Sequence, residues 1–310
     1  MSLNSTSKLL NYRLSEELNM TKQHTAKQHF VPRFLLKHFS CDENHVFVLN
    51  RMIDKIYRTT VDSICYENDI YDEKWKDVIE ELGKYVLDNQ IEEYFADLES
   101  KTSPLVKHII ALIKSGTHNV KLSKEEHDII SEFITTLYLR NPYTLKSIID
   151  YYDGVEDEPD CEAMMYVVDY LFSTAKWGSP MSLLVYSKKA GIFSKEIEGS
   201  PYNVEYEKIS NMKYIFWYAK EGGIITSSFP LHIMSADGER AERIICPLSN
   251  EVALVLFDSM PYPMKEGMVI EIDEDNLKWN MNFFYRTYSK EMARLFIAKD
   301  EETLNRIKKN

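Results

Sequence analysis

The sequence predicts an α+β protein with an N-terminal β-hairpin, a long helical middle and a C-terminal antiparallel sheet with a closing helix. Three observations predict it. Near the start, "HVFVLNR" and "KIYRTTV" are β-branched and aromatic runs separated only by "MID". From Glu73 to about Lys114 the apolar positions Val78, Leu82, Tyr85, Val86, Ile91, Phe95 and Leu98 keep a three-to-four-residue spacing. After Gly191 the pattern changes to short alternating runs broken by turn residues.

Taken in order, residues 1–26 are polar and read as a loosely held segment. Pro32 suits the first position of a helix, so "PRFLLKHF" reads as a short helix with Phe34, Leu35, Leu36 and Phe39 as its apolar side. The hairpin follows, then the long helical tract, in which "TSP" at 102–104 reads as a break and restart. Ser123 with Glu126 three positions later forms a capping box that opens a helix to about Arg140, and Pro142 starts the next. "DGVEDEPDCE" (153–162), with six acids and no base, reads as a solvated loop, after which "EAMMYVVDYLFSTAKW" resumes helix.

In the last third, "MKYIFWYAKEGGIITSS" reads as two strands turned at Gly222-Gly223. "ERIICPLSNEVALVLFD" reads as two more, "MVIEIDEDNLKWNMNFFYRTY" as a strand and a helix, and "ARLFIAKD" as a last strand. The expected organisation is one domain over 27–310, with a helical half at about 73–190 and a sheet-rich half at about 191–298.

Composition narrows the function classes. The formal net charge is −12, which excludes a protein that coats nucleic acid by bulk charge and leaves open only a local basic groove. Cys41, Cys65, Cys161 and Cys246 are scattered without a Cys-x-x-Cys pair, as expected of reduced thiols in a cytosol. There is no apolar leader and no run of 18 apolar residues, so the expectation is a cytoplasmic protein without a membrane partner. No nucleotide-cofactor, nucleophile-elbow or zinc-protease motif is present.

The candidate residues each carry two meanings. His29 and Arg33, four apart across a helix start, suit a proton-transfer group beside an anion-binding fork. They equally suit a helix cap and an ion pair. Glu92 and Glu99 are seven apart, so they share one helix face about 10 Å apart along the axis, with Asp88 in the same stripe. Carboxylates so placed are candidate ligands for a divalent cation, or partners for Arg33 and Arg140. Arg140 itself complements a helix C-terminus or clamps phosphate. His24, His29, His38, Cys41 and His45 crowd one segment without zinc-motif spacing. Tyr214, Phe216, Trp217 and Tyr218 suit a base-stacking platform, but alternation on a half-buried strand explains them more cheaply. Asn282 and Arg286, four apart on the last helix, would join a site with the N-terminal segment only if the chain ends pack together.

Several of these elements, in this order, resemble the bacterial family of unknown function DUF4238. The opening signature is carried by Gln28, His29, Val31, Pro32, Arg33, Leu36 and Phe39. "ENDIYDEKW" follows with Asp69 and Tyr71, then "NQIEEYFADLES" with the paired acids Glu92 and Glu99, and "YLRNP" with Arg140 and Pro142. "IITSSFPL" and "ICPLSN" resemble the family's late elements, with Ser228 where the family usually has aspartate. The resemblance spans about residues 27 to 298 and implies no activity.

Two readings stand at this point. In one the chain is a phosphodiester or other ester hydrolase, with His29 as general base or metal ligand, Glu92 and Glu99 as carboxylate ligands, and Arg33 and Arg140 as charge stabilisers. In the other it is a non-catalytic binding or sensing module, and the same residues knit the N-terminal segment onto the long helix.

Overall fold

The computed structural model describes residues 25–71, 90–154, 192, 193, 195, 198–235 and 242–308. The described chain opens with a short strand, β1 (Lys27–His29), and a five-residue helix after Pro32, α1 (Arg33–Lys37). Leu35 and Leu36 of α1 are fully buried, so packing holds a helix too short to stand alone. The expected hairpin is β2 (His45–Asn50) with β3 (Lys55–Thr60), antiparallel throughout, turned at Asp54 in the left-handed region. A single helical turn at Val61–Ser63 leads to β4 (Tyr66–Asn68), which returns antiparallel along β1.

Three helices follow: α2 (Gln90–Lys114), α3 (Lys124–Leu139) and α4 (Pro142–Gly154). The capping box forms as expected, with the Ser123 hydroxyl accepting from the Glu126 amide and the Glu126 carboxylate accepting from the Ser123 amide. The break expected at 102–104 does not occur. α2 runs through Pro104, because Phe95 and Leu98 before it and Leu105, Val106, Ile109 and Ile113 after it are all buried on one continuous face. The Thr102 hydroxyl donates to the Leu98 carbonyl one turn back. The apolar face outweighs the lost backbone hydrogen bond. The tract before Gln90, including Asp88, lies outside the described residues, as do most of the acidic stretch after Asp153 and the helix expected beyond it.

The remaining elements are α5 (Pro201–Ser210), β5 (Lys213–Tyr218), β6 (Thr226–Ser227), β7 (His232–Met234), β8 (Arg243–Pro247), β9 (Val252–Phe257), β10 (Val269–Glu271), α6 (Glu274–Thr287), β11 (Leu295–Ala298) and α7 (Glu301–Lys308). One sheet has the order β10-β5-β9-β8-β7. It is antiparallel except for β10, which runs parallel to β5, so the expected antiparallel sheet is mixed. β9 is buried along its whole length, as its unbroken apolar run "VALVLF" requires of a central strand covered on both faces.

Two further expectations are corrected by topology. The glycines at 222 and 223 do turn the chain, both with positive φ, but they do not make a hairpin. β5 pairs with β9 and β10, whereas β6 crosses into a second sheet of order β3-β2-β11-β6. A turn signal fixes where the chain bends and leaves the partner strand open. The N-terminal hairpin is likewise no separate element: β11, the last strand, pairs with β2, so the two ends of the described chain share one sheet. The aromatic run of β5 is core, with Tyr214, Phe216 and Trp217 buried.

A large apolar core unites both sheets, α1 and the second half of α2. A smaller one gathers Tyr71, Ile91, Phe95, Leu139, Leu145 and Tyr202 where α2, α3, α4 and α5 meet. Among the described residues, no helix is long and apolar enough to cross a membrane.

Candidate functional site

The smaller core has a polar centre, and Arg140 occupies it. Arg140 follows the last residue of α3 and is 2% exposed. Its Nε donates to the Phe30 carbonyl at 3.1 Å, one Nη donates to the His29 carbonyl, and the other donates to Glu99 Oε1 at 2.9 Å. The guanidinium carbon lies 4.6 Å from the centre of the Phe95 ring. Behind it, the Tyr71 hydroxyl donates to the Arg140 carbonyl at 2.7 Å, and the Tyr71 amide donates to Gln28 Oε1 at 2.8 Å. Tyr71 packs edge-on against Phe95, with ring centres 5.0 Å apart. Four segments distant in sequence (β1, the loop after β4, α2 and the end of α3) are thus closed around one cation. A planar fork with several fixed donors suits this task, and a single ammonium does not.

The local sequence explains each position. Glu99 and Phe95 are one turn apart on α2, so the acid reaches the guanidinium from above the ring that stacks on it. Among the described residues β1 pairs only with β4, which leaves the His29 carbonyl on its other edge to Arg140, and the Phe30 carbonyl just past the strand is the second acceptor. Burial pushes the Tyr71 phenol well above its usual value. The Arg140 charge opposes the shift, and Glu92 and Glu99 add to it.

The five expected site residues are therefore not brought to one open cleft. Glu99 and Arg140 pair with each other inside. His29 contributes its carbonyl to that pair. Its half-buried ring lies 5.6 Å from the Tyr66 ring, with Nε2 enclosed and lacking a hydrogen-bond partner among the described residues. Desolvation lowers the imidazole to about 4, assisted by the cations Arg33 and Lys27 and opposed by Asp62. His29 is therefore neutral at pH 7. It does not cap α1, whose start carries no side-chain cap. Arg33 points away, to an exposed pair with Asp62 at 2.7 Å. Glu92 lies half-buried in the first turn of α2, on the same face as Glu99. Among the described residues, no three histidine, cysteine, aspartate or glutamate side chains converge to hold a metal ion. His38 and His45 are half-buried and Cys41 is exposed, while His24 lies outside the described residues.

Next to Arg140, Asn141 carries the lock onward. Its Nδ2 donates to the Ser228 carbonyl at 2.7 Å, and its Oδ1 accepts from the Tyr143 amide at 3.0 Å. Ser228 in turn exchanges backbone and hydroxyl bonds with Leu295 on β11. The α3–α4 corner is thereby tied to the β1 edge on one side and to β6 and β11 on the other.

On the outer side of this corner lies a cleft of about 340 Å³, lined by Tyr138, Tyr143, Thr144, Ser147, Ile148, Tyr151, Pro201 and Met292. Its residues were not singled out from the sequence. The available signal was the spacing of Tyr143, Ser147 and Tyr151, which places them in one stripe of α4.

A comparison with protein families matches residues 27–303 to the family described as "Protein of unknown function (DUF4238)". The chain belongs to DUF4238. Searches of curated proteins and of solved structures returned no match. In this DUF4238 member the late elements act as local turn locks. The Ser227 hydroxyl donates to the Phe229 carbonyl at 2.6 Å, and the Ser249 hydroxyl accepts from the Glu251 and Val252 amides. Ser228, where the resemblance expects aspartate, is buried and accepts the Leu295 amide on its hydroxyl at 3.2 Å.

Proposed function

We propose that this DUF4238 chain is a non-catalytic binding module. In this reading the Gln28–Tyr71–Glu99–Arg140 network is a structural lock, and the cleft beyond it on the α3–α4 corner is the ligand site. The observation that carries the reading is that Arg140 is 2% exposed and donates three of its five N–H groups to two main-chain carbonyls and one carboxylate, all of them the protein's own. A group engaged in this way is not available to stabilise charge on a substrate. Tyr71 on the Arg140 carbonyl, with Asn141 beside it, holds the corner on which α4 and its tyrosines stand.

The second reading, a phosphodiester or other ester hydrolase with His29 as general base, is favoured by one observation. His29 is a neutral imidazole at pH 7 with Lys27 and Arg33 close enough to act on it, an arrangement that suits proton abstraction beside an anion. In that reading Arg33 and Arg140 stabilise charge, and Glu92 and Glu99 hold a divalent cation.

The test is a panel of phosphodiester and carboxyl-ester substrates with magnesium or manganese, run on the wild type and on His29→Ala. The binding-module reading expects both proteins at the same background rate. Turnover that His29→Ala abolishes while keeping the wild-type melting temperature would establish the hydrolase reading instead.

A further inference from the structure

Two polar side chains of the five-stranded sheet lack an adequate partner, and they are neighbours on one of its faces. Arg243 on β8 stands opposite Met234 on β7, and His232 is two residues back along β7, so the three side chains share a side. The Trp217 ring centre lies 6.0 Å from the Arg243 guanidinium carbon.

Arg243 is half-buried, and burial lowers it below its usual value with no acid acting against the shift among the described residues. Its Nε, at 3.2 Å, and its Nη2 both donate to the Met234 thioether sulfur. That edge of the fork, with two parallel N–H groups, is the one that takes carboxylate or phosphate bidentately. A thioether is a weak acceptor for it. His232 is fully buried, and neither ring nitrogen has a hydrogen-bond partner among the described residues. The charge that acts on its ring is Arg243, which disfavours the imidazolium. Buried polar groups are nearly always paired, and each exception calls for an explanation.

One anionic group seated where the sulfur lies answers both. Met234 is half-exposed and turns about three side-chain bonds, so it can withdraw and open the fork to solvent. The net charge of −12 opposes an anion only at long range, because salt screens charges beyond about 8 Å.

We propose that the Arg243–His232 face of the sheet binds a small oxyanion, a carboxylate or a phosphate, bidentate on Nε and Nη2 of Arg243 in place of the Met234 sulfur, with a His232 N–H as the further donor. The site shares no residue with the α3–α4 cleft and stands independently of the reading given to that cleft.

The experiment is calorimetric titration of the full chain with inorganic phosphate and with acetate, at pH 7 and constant ionic strength. It is run on the wild type, Arg243→Lys, His232→Leu and, as a control, Arg33→Lys. The wild type should bind at least one anion saturably, and the tighter of the two names the source. Arg243→Lys keeps the charge and loses the fork, so affinity should fall about tenfold, the worth of one charge-assisted hydrogen bond. His232→Leu should lose about fivefold, and Arg33→Lys nothing. A second readout is made on the wild type by proton NMR. The His232 ring-proton signal, assigned by its absence from His232→Leu, should shift with the tighter anion along the calorimetric saturation curve. No saturable heat from either anion, equal losses at Arg33→Lys and Arg243→Lys, or a His232 signal indifferent to the bound anion would each overturn the assignment.

Discussion

The Arg140 guanidinium donates to Glu99 Oε1 at 2.9 Å with the arginine side chain 3% exposed and the glutamate 28% exposed. The Arg33–Asp62 pair is as short, 2.7 Å, yet its side chains are 59% and 51% exposed. Similar distances carry different meanings. Water screens the second pair, and its contribution is within about 0.2–1 kcal/mol. The first sits in the smaller core with two carbonyl acceptors besides. Removing its cation strands an acid and two carbonyls at once.

Removing the Tyr71 hydroxyl isolates one strand of the lock. Tyr71→Phe keeps the ring against Phe95 and leaves the Arg140 carbonyl without its hydroxyl donor. The expected loss is about 1–2 kcal/mol in urea unfolding, with no change in the slope of the transition.

Acid should destabilise the fold through two histidines. His232 is 1% exposed, stacks on Phe284 with ring centres 4.5 Å apart, and has neither ring nitrogen hydrogen-bonded among the described residues. Burial, with Arg243 adding, lowers it to about 3. His29 is lowered to about 4, again chiefly by burial. Both folded values lie below the unfolded value of about 6.5. The unfolded chain therefore takes up protons first, and these two groups leave stability intact above pH 6.5 or so. Stability falls as pH drops from there toward about 4 for His29 and about 3 for His232. His232→Leu should move the midpoint of acid unfolding to lower pH, measured by circular dichroism across a pH series.

Pro104 gives a stabilising prediction. It is exposed in the middle of α2, where it removes one backbone hydrogen bond without adding core contacts. Pro104→Ala should raise stability by about 1–3 kcal/mol and the melting temperature with it, read by differential scanning calorimetry.

Gly267 gives the opposite. Its φ is +80°, and a Cβ there would lie 2.5 Å from the Val120 carbonyl oxygen. This glycine stitches the α2–α3 connection to the sheet, accepting from the Val120 amide at 2.7 Å and donating to the Tyr214 carbonyl at 2.8 Å. Gly267→Ala should cost at least about 2 kcal/mol in urea unfolding.

What the sequence disclosed follows the range of the interactions involved. The Ser123–Glu126 capping box and the 45–60 hairpin were legible because every determining contact lies within a few residues. The glycine turn at 222–223 was legible as a turn, but its destination depends on β11, about seventy residues later. The continuity of α2 through Pro104 is decided by what the helix packs on, which local propensity does not contain. The site shows the same division. Residue type and spacing offered Glu92 and Glu99 as partners for Arg33 and Arg140; the Glu99–Arg140 pair forms, whereas Arg33 pairs with Asp62. They gave no sign that the remaining acceptors would be the carbonyls of His29 and Phe30, because any residue supplies a carbonyl. The tyrosines of the cleft are not legible as a site because α4 alone presents a stripe, and Tyr138, Pro201 and Met292, distant in sequence, make it concave.

The most direct test of the lock is urea unfolding of Arg140→Met beside Arg33→Met. Each replacement keeps an unbranched apolar side chain and removes the charge. A structural lock predicts a loss of about 3–5 kcal/mol for Arg140→Met, and a change within about 0.5 kcal/mol for Arg33→Met. Equal and small effects at both positions would contradict it, and would return Arg140 to the list of residues free to act on a substrate.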